Sequence, residues 1–335
     1  MNSIENKFNS LKELIGNTPL IEILFTYKGK EMKIYTKLEY YNYSGSVKDR
    51  MALYILGKAY KENKLKAYDR IVEATSGNTG ISFASIGSLL NHPVTIFMPE
   101  WMSVERQNLI KNFGADIKLV SKQEGGFLRC IELAKRFALT NNNVFLPSQF
   151  DNNDNIMAHY LTTAPEIYKS LSSHNLTPSA FVAGVGTGGT VMGIAKYLKS
   201  KDSRIKVHPL EPANSPTLSY GYTGSSHRIQ GISDEFVPKI VKLYELDSIV
   251  DVWDGDAIIM AQKLSKELGL GVGISSGANF IGALKLLLEK NNNSVVVTVF
   301  PDDNKKYLST DLMKNEISYT EFLSKDVDLL SIRTL

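Results

Sequence analysis

One cysteine, Cys130, stands among 335 residues, so no internal disulfide can staple the chain. It falls in a helical stretch at 126–140, where packing rather than chemistry is its expected role. The five histidines (His92, His159, His174, His208 and His227) are dispersed and do not have the spacing of metal ligands. Charge of one sign is also lacking. The 38 basic and 35 acidic residues leave a formal +3, and no basic helix or basic–aromatic interleave suits nucleic acid. No apolar run is long enough to span a bilayer, and the opening residues lack the basic and apolar regions of a signal peptide. A cytoplasmic protein without membrane or nucleic-acid partners is the expectation. Internal repeats and low-complexity linkers are absent as well.

What is present is an ordinary globular balance, 43% hydrophobic and 22% charged, long enough for two cores. Short β-forming runs alternate with longer helical patterns, which predicts an α/β architecture. Strands are expected at 71–74, 94–98, 117–120 and 144–146, with helices from the 75–80 loop to about 90, at 103–113 and at 126–140. A second unit follows, with strands at 180–185, 205–210, 249–252 and 295–300. Its helices are expected from the 186–190 loop to about 200, at 257–268 and at 278–289. Residues 214–236 have weak periodicity and many Ser, Gly and Thr, the pattern of a cleft lining rather than a core. The economical arrangement is two α/β domains with a site between them.

Three motifs carry chemistry. Asn42-Tyr43-Ser44-Gly45-Ser46-Val47-Lys48-Asp49-Arg50 presents one lysine among small residues, and a lysine can form a Schiff base with an aldehyde cofactor. Taken alone, Lys48 would be one of many surface lysines. Thr75-Ser76-Gly77-Asn78-Thr79-Gly80 is a strand-to-helix loop rich in hydroxyl and amide groups, able to hold a carboxylate. Gly186-Thr187-Gly188-Gly189-Thr190 follows a strand and opens a helix, where backbone N–H groups and the helix dipole can hold a phosphate. It lacks the lysine of a P-loop and the spacing of a dinucleotide site. A phosphate cradle, a lysine and a carboxylate loop together point to pyridoxal phosphate.

These motifs resemble those of the cysteine synthase and cystathionine β-synthase group, the fold-type II pyridoxal phosphate enzymes. The resemblance extends to Ile15-Gly16-Asn17-Thr18-Pro19-Leu20, Met98-Pro99-Glu100, Gln149-Phe150-Asp151-Asn152, His227-Arg228-Ile229-Gln230-Gly231-Ile232 and Gly273-Ile274-Ser275-Ser276-Gly277-Ala278. It runs in order from about residue 15 to 308. It implies two open twisted parallel-sheet domains of the tryptophan synthase β type. The smaller, mobile one would cover 43–155, and the larger 1–42 and 156–335. By the same resemblance Lys48 holds the cofactor and moves the α-proton, and Asn78 contacts its ring hydroxyl. Gly186, Thr187, Gly188, Gly189 and Thr190 cradle its phosphate, and Ser275 faces the pyridine nitrogen. Thr75, Ser76, Thr79 and Gln149 bind the substrate carboxylate or face the reacting carbon. A homodimer is also implied. Neither a regulatory module nor a haem-ligating extension is expected.

Two departures narrow the reading. Tyr43 replaces a proline common in the family. Gly231-Ile232-Ser233-Asp234-Glu235-Phe236 carries two carboxylates where cysteine synthases carry small residues. An acidic pair is often a solvated turn, but this segment borders the active site in the family. Bisulfide needs no side-chain base, whereas water gains from one, by about two to four orders of magnitude. With Asp234 and Ser76 facing a cysteine thiol, the expected reaction is β-replacement on L-cysteine. It passes through an aminoacrylate and gives L-serine and hydrogen sulfide, the pattern of bacterial cysteine (hydroxyl) lyases. The alternatives are an O-acetylserine sulfhydrylase, a cystathionine- or lanthionine-type thioether synthase and a pyruvate-forming desulfhydrase. From other classes come a cofactor-free binding protein and a nicotinamide oxidoreductase.

Overall fold

The computed structural model describes residues 4–221, 225–233, 235–289 and 294–335. Among the described residues, eleven strands form two sheets. In chain order they are β1 (Leu20–Tyr27), β2 (Lys30–Leu38), β3 (Arg70–Ala74), β4 (Val94–Pro99), β5 (Asp116–Val120), β6 (Val144–Phe145), β7 (Ala180–Gly184), β8 (Lys206–Pro212), β9 (Val250–Val252), β10 (Val296–Phe300) and β11 (Val327–Thr334).

The smaller sheet, ordered β5-β4-β3-β6, is parallel throughout. Its central strands β3 and β4 are buried on both faces, because alternate residues enter different cores. Ile71, Ile96 and Met98 pack with helices Lys48–Lys61 and Asn78–Leu90. Val72, Ala74 and Phe97 instead meet Phe127, Cys130 and Ala134 of helix Gly126–Thr140. Cys130 is fully enclosed there, and burial pushes its thiol up to about 12.

The larger sheet is ordered β11-β1-β2-β10-β7-β8-β9. From β2 to β9 it is parallel, but β11, β1 and β2 pair antiparallel. The reversal follows from the turn between β1 and β2, where Lys28 and Gly29 both have positive φ (50° and 76°). Two such residues make the tight hairpin whose twist matches paired strands. Helices Asp254–Leu268 and Ile274–Glu289 cover one face, and Ala164–Ser173 and Gly189–Lys201 the other. No helix among the described residues is long and apolar enough to cross a membrane.

The parallel strands matter most for function. Beyond the carboxyl ends of β3, β7 and β10 come the Thr75–Gly77 turn, the glycine-rich turn and Pro301–Asp302. Ligands of open α/β sheets bind outside such strand ends.

Candidate active site

The turn carrying Lys48 is fixed from several sides. Gly45 has φ +82°, its carbonyl accepts from Lys306 Nζ at 2.5 Å, and Val47 N–H donates to Pro301 O at 2.9 Å. Asp49 is fully buried and accepts from Ser44 N–H at 2.6 Å and Ser44 Oγ at 2.5 Å. Lys48 therefore opens its helix at a set position. Two residues on, buried Arg50 forks between two carboxylates. Its Nε and Nη2 donate to Glu39 at 2.6 and 2.8 Å, and its Nη1 and Nη2 to Glu166, both at 2.7 Å. Lys37 adds a 2.8 Å ion pair to Glu166, and Thr18 Oγ1 donates to Glu39 at 2.8 Å. Burial would raise the Glu39 carboxyl, but the Arg50 guanidinium outweighs it and holds it at about 2.

The second loop is built on β3 and on Gln149. Thr75 N–H donates to Phe97 O at 3.0 Å, and Thr75 Oγ1 accepts from Gly77 N–H at 3.0 Å. Thr79 Oγ1 donates to Gln149 Oε1 at 2.5 Å, while Gln149 Nε2 donates to Ala74 O at 2.8 Å. Helix Asn78–Leu90 has no side-chain cap at its start, so its first N–H groups remain available to an anion. Beneath the loop, buried Glu73 accepts from Ala74 N–H at 2.9 Å and Gln149 N–H at 3.1 Å. Burial nevertheless pushes its carboxyl up to about 7. Sequence reasoning passed over Glu73 because it reads as an ordinary strand residue.

Lys48, Asn78, Gly186, Thr187, Gly188, Thr190 and Ser275 line one cavity, with Gly231 and Ile232 across from them. Lys48 also lines an adjoining cavity with Thr75, Ser76, Asn78, Thr79 and Gln149. A Cβ on Gly186 would come within 2.5 Å of Gly231 O, and one on Gly189 would run into Asn155 Oδ1. Asn155 Nδ2 bridges Thr187 Oγ1 at 2.9 Å and Gln149 O at 3.0 Å, so it ties the two loops together. His159 is buried 3.3 Å from Thr190 Oγ1, and burial, helped by the nearby Arg50 charge, takes its pKa down to about 3. The imidazole is therefore neutral. Neither Asn155 nor His159 stood out in the sequence, although Asn155 lies just past the Gln149–Asn152 motif.

These residues fit pyridoxal phosphate. The glycines leave a cradle that side chains would fill, and Asn78, which lines the same cavity, has its Oδ1 buried without a partner. Ser276 Oγ, beside Ser275, is likewise unpartnered. Among the described residues no group of His, Cys, Asp or Glu could hold a metal ion.

An outer cleft of about 860 Å³ opens beyond Ser76. Trp101, Lys122, His227, Arg228, Ser233 and Glu235 are among its lining. Ser233 has φ +53°, an uncommon value for a residue with a side chain. Three bonds hold it: its N–H donates to Val185 O at 2.7 Å, its Oγ to Ser215 O at 3.2 Å, and its carbonyl lies 2.8 Å from His227 Nε2. On the other side, Phe236 packs on Phe150 and Phe127 at 5.1 and 6.5 Å between ring centroids. Asp234, between these two anchors, lies outside the described residues.

Comparison with known proteins agrees with this geometry. The family described as pyridoxal-phosphate dependent enzyme matches residues 11–302. A cysteine synthase of Staphylococcus aureus (strain Mu50) is 39% identical over 307 residues, covering 91% of this chain and 96% of that protein. The chain belongs to the cysteine synthase and cystathionine β-synthase family of fold-type II pyridoxal phosphate enzymes. Within this family it is also similar to a hydrogen sulfide-producing enzyme of Fusobacterium nucleatum. That crystal structure has 57% identity and a TM-score of 0.96, covering 99% of this chain and 100% of the other. An aspartate-to-asparagine mutant of the same enzyme, in lysine-dimethylated form, is complexed with an α-aminoacrylate intermediate. It has the same identity and TM-score and covers 98% and 100% of the two chains. The chain is thus a pyridoxal phosphate-dependent enzyme of cysteine metabolism.

Proposed function

We propose that this enzyme replaces the thiol of L-cysteine with water, giving L-serine and hydrogen sulfide. The observation that carries the proposal is the shared lining of Lys48, Ser76 and Gly231, which joins the lysine cavity to the cleft lined by Ser233 and Glu235, the chain neighbours of Asp234. The cofactor would be held by Lys48, Asn78, the Gly186–Thr190 turn and Ser275. Bound there, pyridoxal phosphate supplies the electron sink that acidifies the α-carbon and allows the β-substituent to leave.

The protein's own groups do the rest. Thr75, Ser76, Thr79 and Gln149 orient the substrate carboxylate, and Lys48 Nζ removes and returns the α-proton. The sulfur leaves past Ser76 as bisulfide and becomes hydrogen sulfide with the proton that Asp234 takes from the incoming water, which restores the carboxylate. Asp234 then takes a proton from water as the oxygen bonds to the β-carbon. Water is a weak nucleophile, and a general base speeds its addition by about two to four orders of magnitude. Likeness to the hydrogen sulfide-producing enzyme supports this reading, as does that enzyme's mutant with an aspartate replaced. The S. aureus relative favours a second reading, cysteine synthesis from O-acetylserine and sulfide.

Purified enzyme given L-cysteine alone separates the two. Serine and sulfide in equal amounts support water addition, pyruvate in place of serine excludes it, and a requirement for O-acetylserine selects the second reading. Asp234→Asn is expected to slow serine formation by about two orders of magnitude while the cofactor stays bound. Full activity in that variant would remove Asp234 from the chemistry.

A further inference from the structure

Arg106 is one of the largest fully enclosed side chains in the protein, at 1% exposure. It extends from helix Val104–Asn112 to the underside of the substrate loop. A Cβ on Gly77 would come within 2.5 Å of its Cδ and Nε, so glycine at that position is what lets the guanidinium approach. The side chain lines the same cavity as Lys48, Ser76, Thr79 and Gln149.

Its partners do not neutralise it. Nη1 donates to the neutral Gln230 Oε1, and the guanidinium stacks 4.5 Å from the centre of the Tyr307 ring. Nε–H is buried with no acceptor among the described residues. The carboxylate of Glu105, the preceding residue, feels the Arg106 charge, but its hydrogen bonds come from Ser309 N–H and Oγ at 2.7 and 2.8 Å. Asp302 receives the Tyr307 phenol's hydrogen bond at 2.6 Å and a second one from Asn78 Nδ2 at 2.7 Å. The contrast with Arg50, which is equally buried but gripped by two carboxylates, is direct.

A guanidinium cannot shed its proton, and enclosing it without a counter-charge is costly. Such a group is retained when a ligand supplies the missing anion. We propose that Arg106 is a specificity-determining residue for the substrate's carboxylate, providing the positive charge behind a loop that otherwise offers only neutral hydroxyl, amide and backbone donors. The inference rests on the reading of Thr75–Thr79 and Gln149 as an amino-acid carboxylate site. It adds the charge that selects an amino acid over the corresponding amine.

The test compares L-cysteine with cysteamine, which is the same molecule without the carboxylate. Each is titrated into cofactor-loaded wild type, Arg106→Gln and Arg106→Lys, following the change in cofactor absorbance. The resting absorbance of each variant, before any ligand, reports that fold and cofactor are intact. Arg106→Gln is expected to raise the half-saturating L-cysteine concentration by about tenfold or more and leave that of cysteamine nearly unchanged. Arg106→Lys should fall between, since it keeps the charge but not the fork. Equal weakening for both ligands would overturn the proposal and leave Arg106 a strut between Gln230 and Tyr307. A wild type that responds equally to both ligands would sink the carboxylate site itself, a separate failure from that of Arg106.

Discussion

Asn78 Nδ2 donates to Asp302 Oδ2 at 2.7 Å, a bond that joins the start of a helix on the smaller sheet to the residue just past β10 in the larger one. The same carboxylate oxygen accepts from Tyr307 Oη at 2.6 Å, which orients it. Asn78 is left with its amide oxygen turned inward, buried and unpartnered. A donor from the cofactor's ring is the natural complement. Asn78→Ala should therefore weaken cofactor binding by about tenfold, the scale of one buried hydrogen bond together with an orphaned partner. Titration of the apoenzyme with pyridoxal phosphate, followed by absorbance, measures it; unchanged affinity would mean that the amide serves only Asp302.

The Arg50 cluster makes a prediction about stability. Glu39 is fully enclosed and takes two hydrogen bonds from Arg50 and one from Thr18. Removing one member of such a buried pair leaves the other charge uncompensated, at a cost of about 3–5 kcal/mol. Glu39→Gln should lose stability on that scale in denaturant unfolding. The cost should shrink in strong acid, because the Glu39 carboxyl is held down at about 2 and its contribution disappears as pH falls through that value. A loss below about 1 kcal/mol, the range of a surface ion pair, would contradict the enclosure of the cluster.

Glu73 behaves in the opposite sense. Its folded pKa is raised from 4.5 to about 7 by burial, against the pull of backbone N–H groups. Asp151, itself reached by Lys135 and Lys239 at 3.4 and 3.5 Å, adds a small push in the same direction. The fold therefore favours the protonated acid. That contribution is complete below about pH 4.5 and is lost as pH rises through 7. Wild-type stability relative to Glu73→Gln should fall across this window, at up to about 1.4 kcal/mol per pH unit. Unfolding curves of both proteins at several pH values would show it, and a constant difference would mean that Glu73 does not titrate there.

How much of this was visible beforehand depended on where each residue's partners lie along the chain. The helix at 126–140 and the strands between residues 71 and 300 were legible because burial on one or both faces writes a pattern into neighbouring residues. The lysine turn, substrate loop, glycine turn and Ser275 could be grouped because their local patterns are distinctive, and the structure brings them into adjoining cavities. β11 was not legible: it is an edge strand buried mainly at Val327 and Leu329, with little periodic signal. The antiparallel edge of the larger sheet was missed with it. Arg106 and Glu73 were invisible for another reason. Arg106 meets Gln230 and Glu73 meets Gln149, partners 124 and 76 positions away, and no local pattern marks a charge that will be enclosed by distant chain.

Gly186 gives the sharpest test of the phosphate cradle. Its neighbour across the turn is the backbone carbonyl of Gly231, 2.5 Å from where a Cβ would stand. A flexible side chain could swing aside, but this carbonyl belongs to a segment tied down two residues later by the Ser233 N–H bond to Val185 O. Gly186→Ala must therefore push the glycine turn and the 231–233 segment apart. Both line the lysine cavity, so the damage should fall on cofactor binding and on the cleft together. Overpacking of this kind costs about 1–3 kcal/mol. The apoprotein should melt only a few degrees lower, while its affinity for pyridoxal phosphate falls at least about tenfold. Free pyridoxal, which has no phosphate, provides the control. If the loss is specific to the phosphate-bearing form, the turn is the phosphate site; equal loss for both would assign Gly186 a purely spatial role between the turn and Gly231.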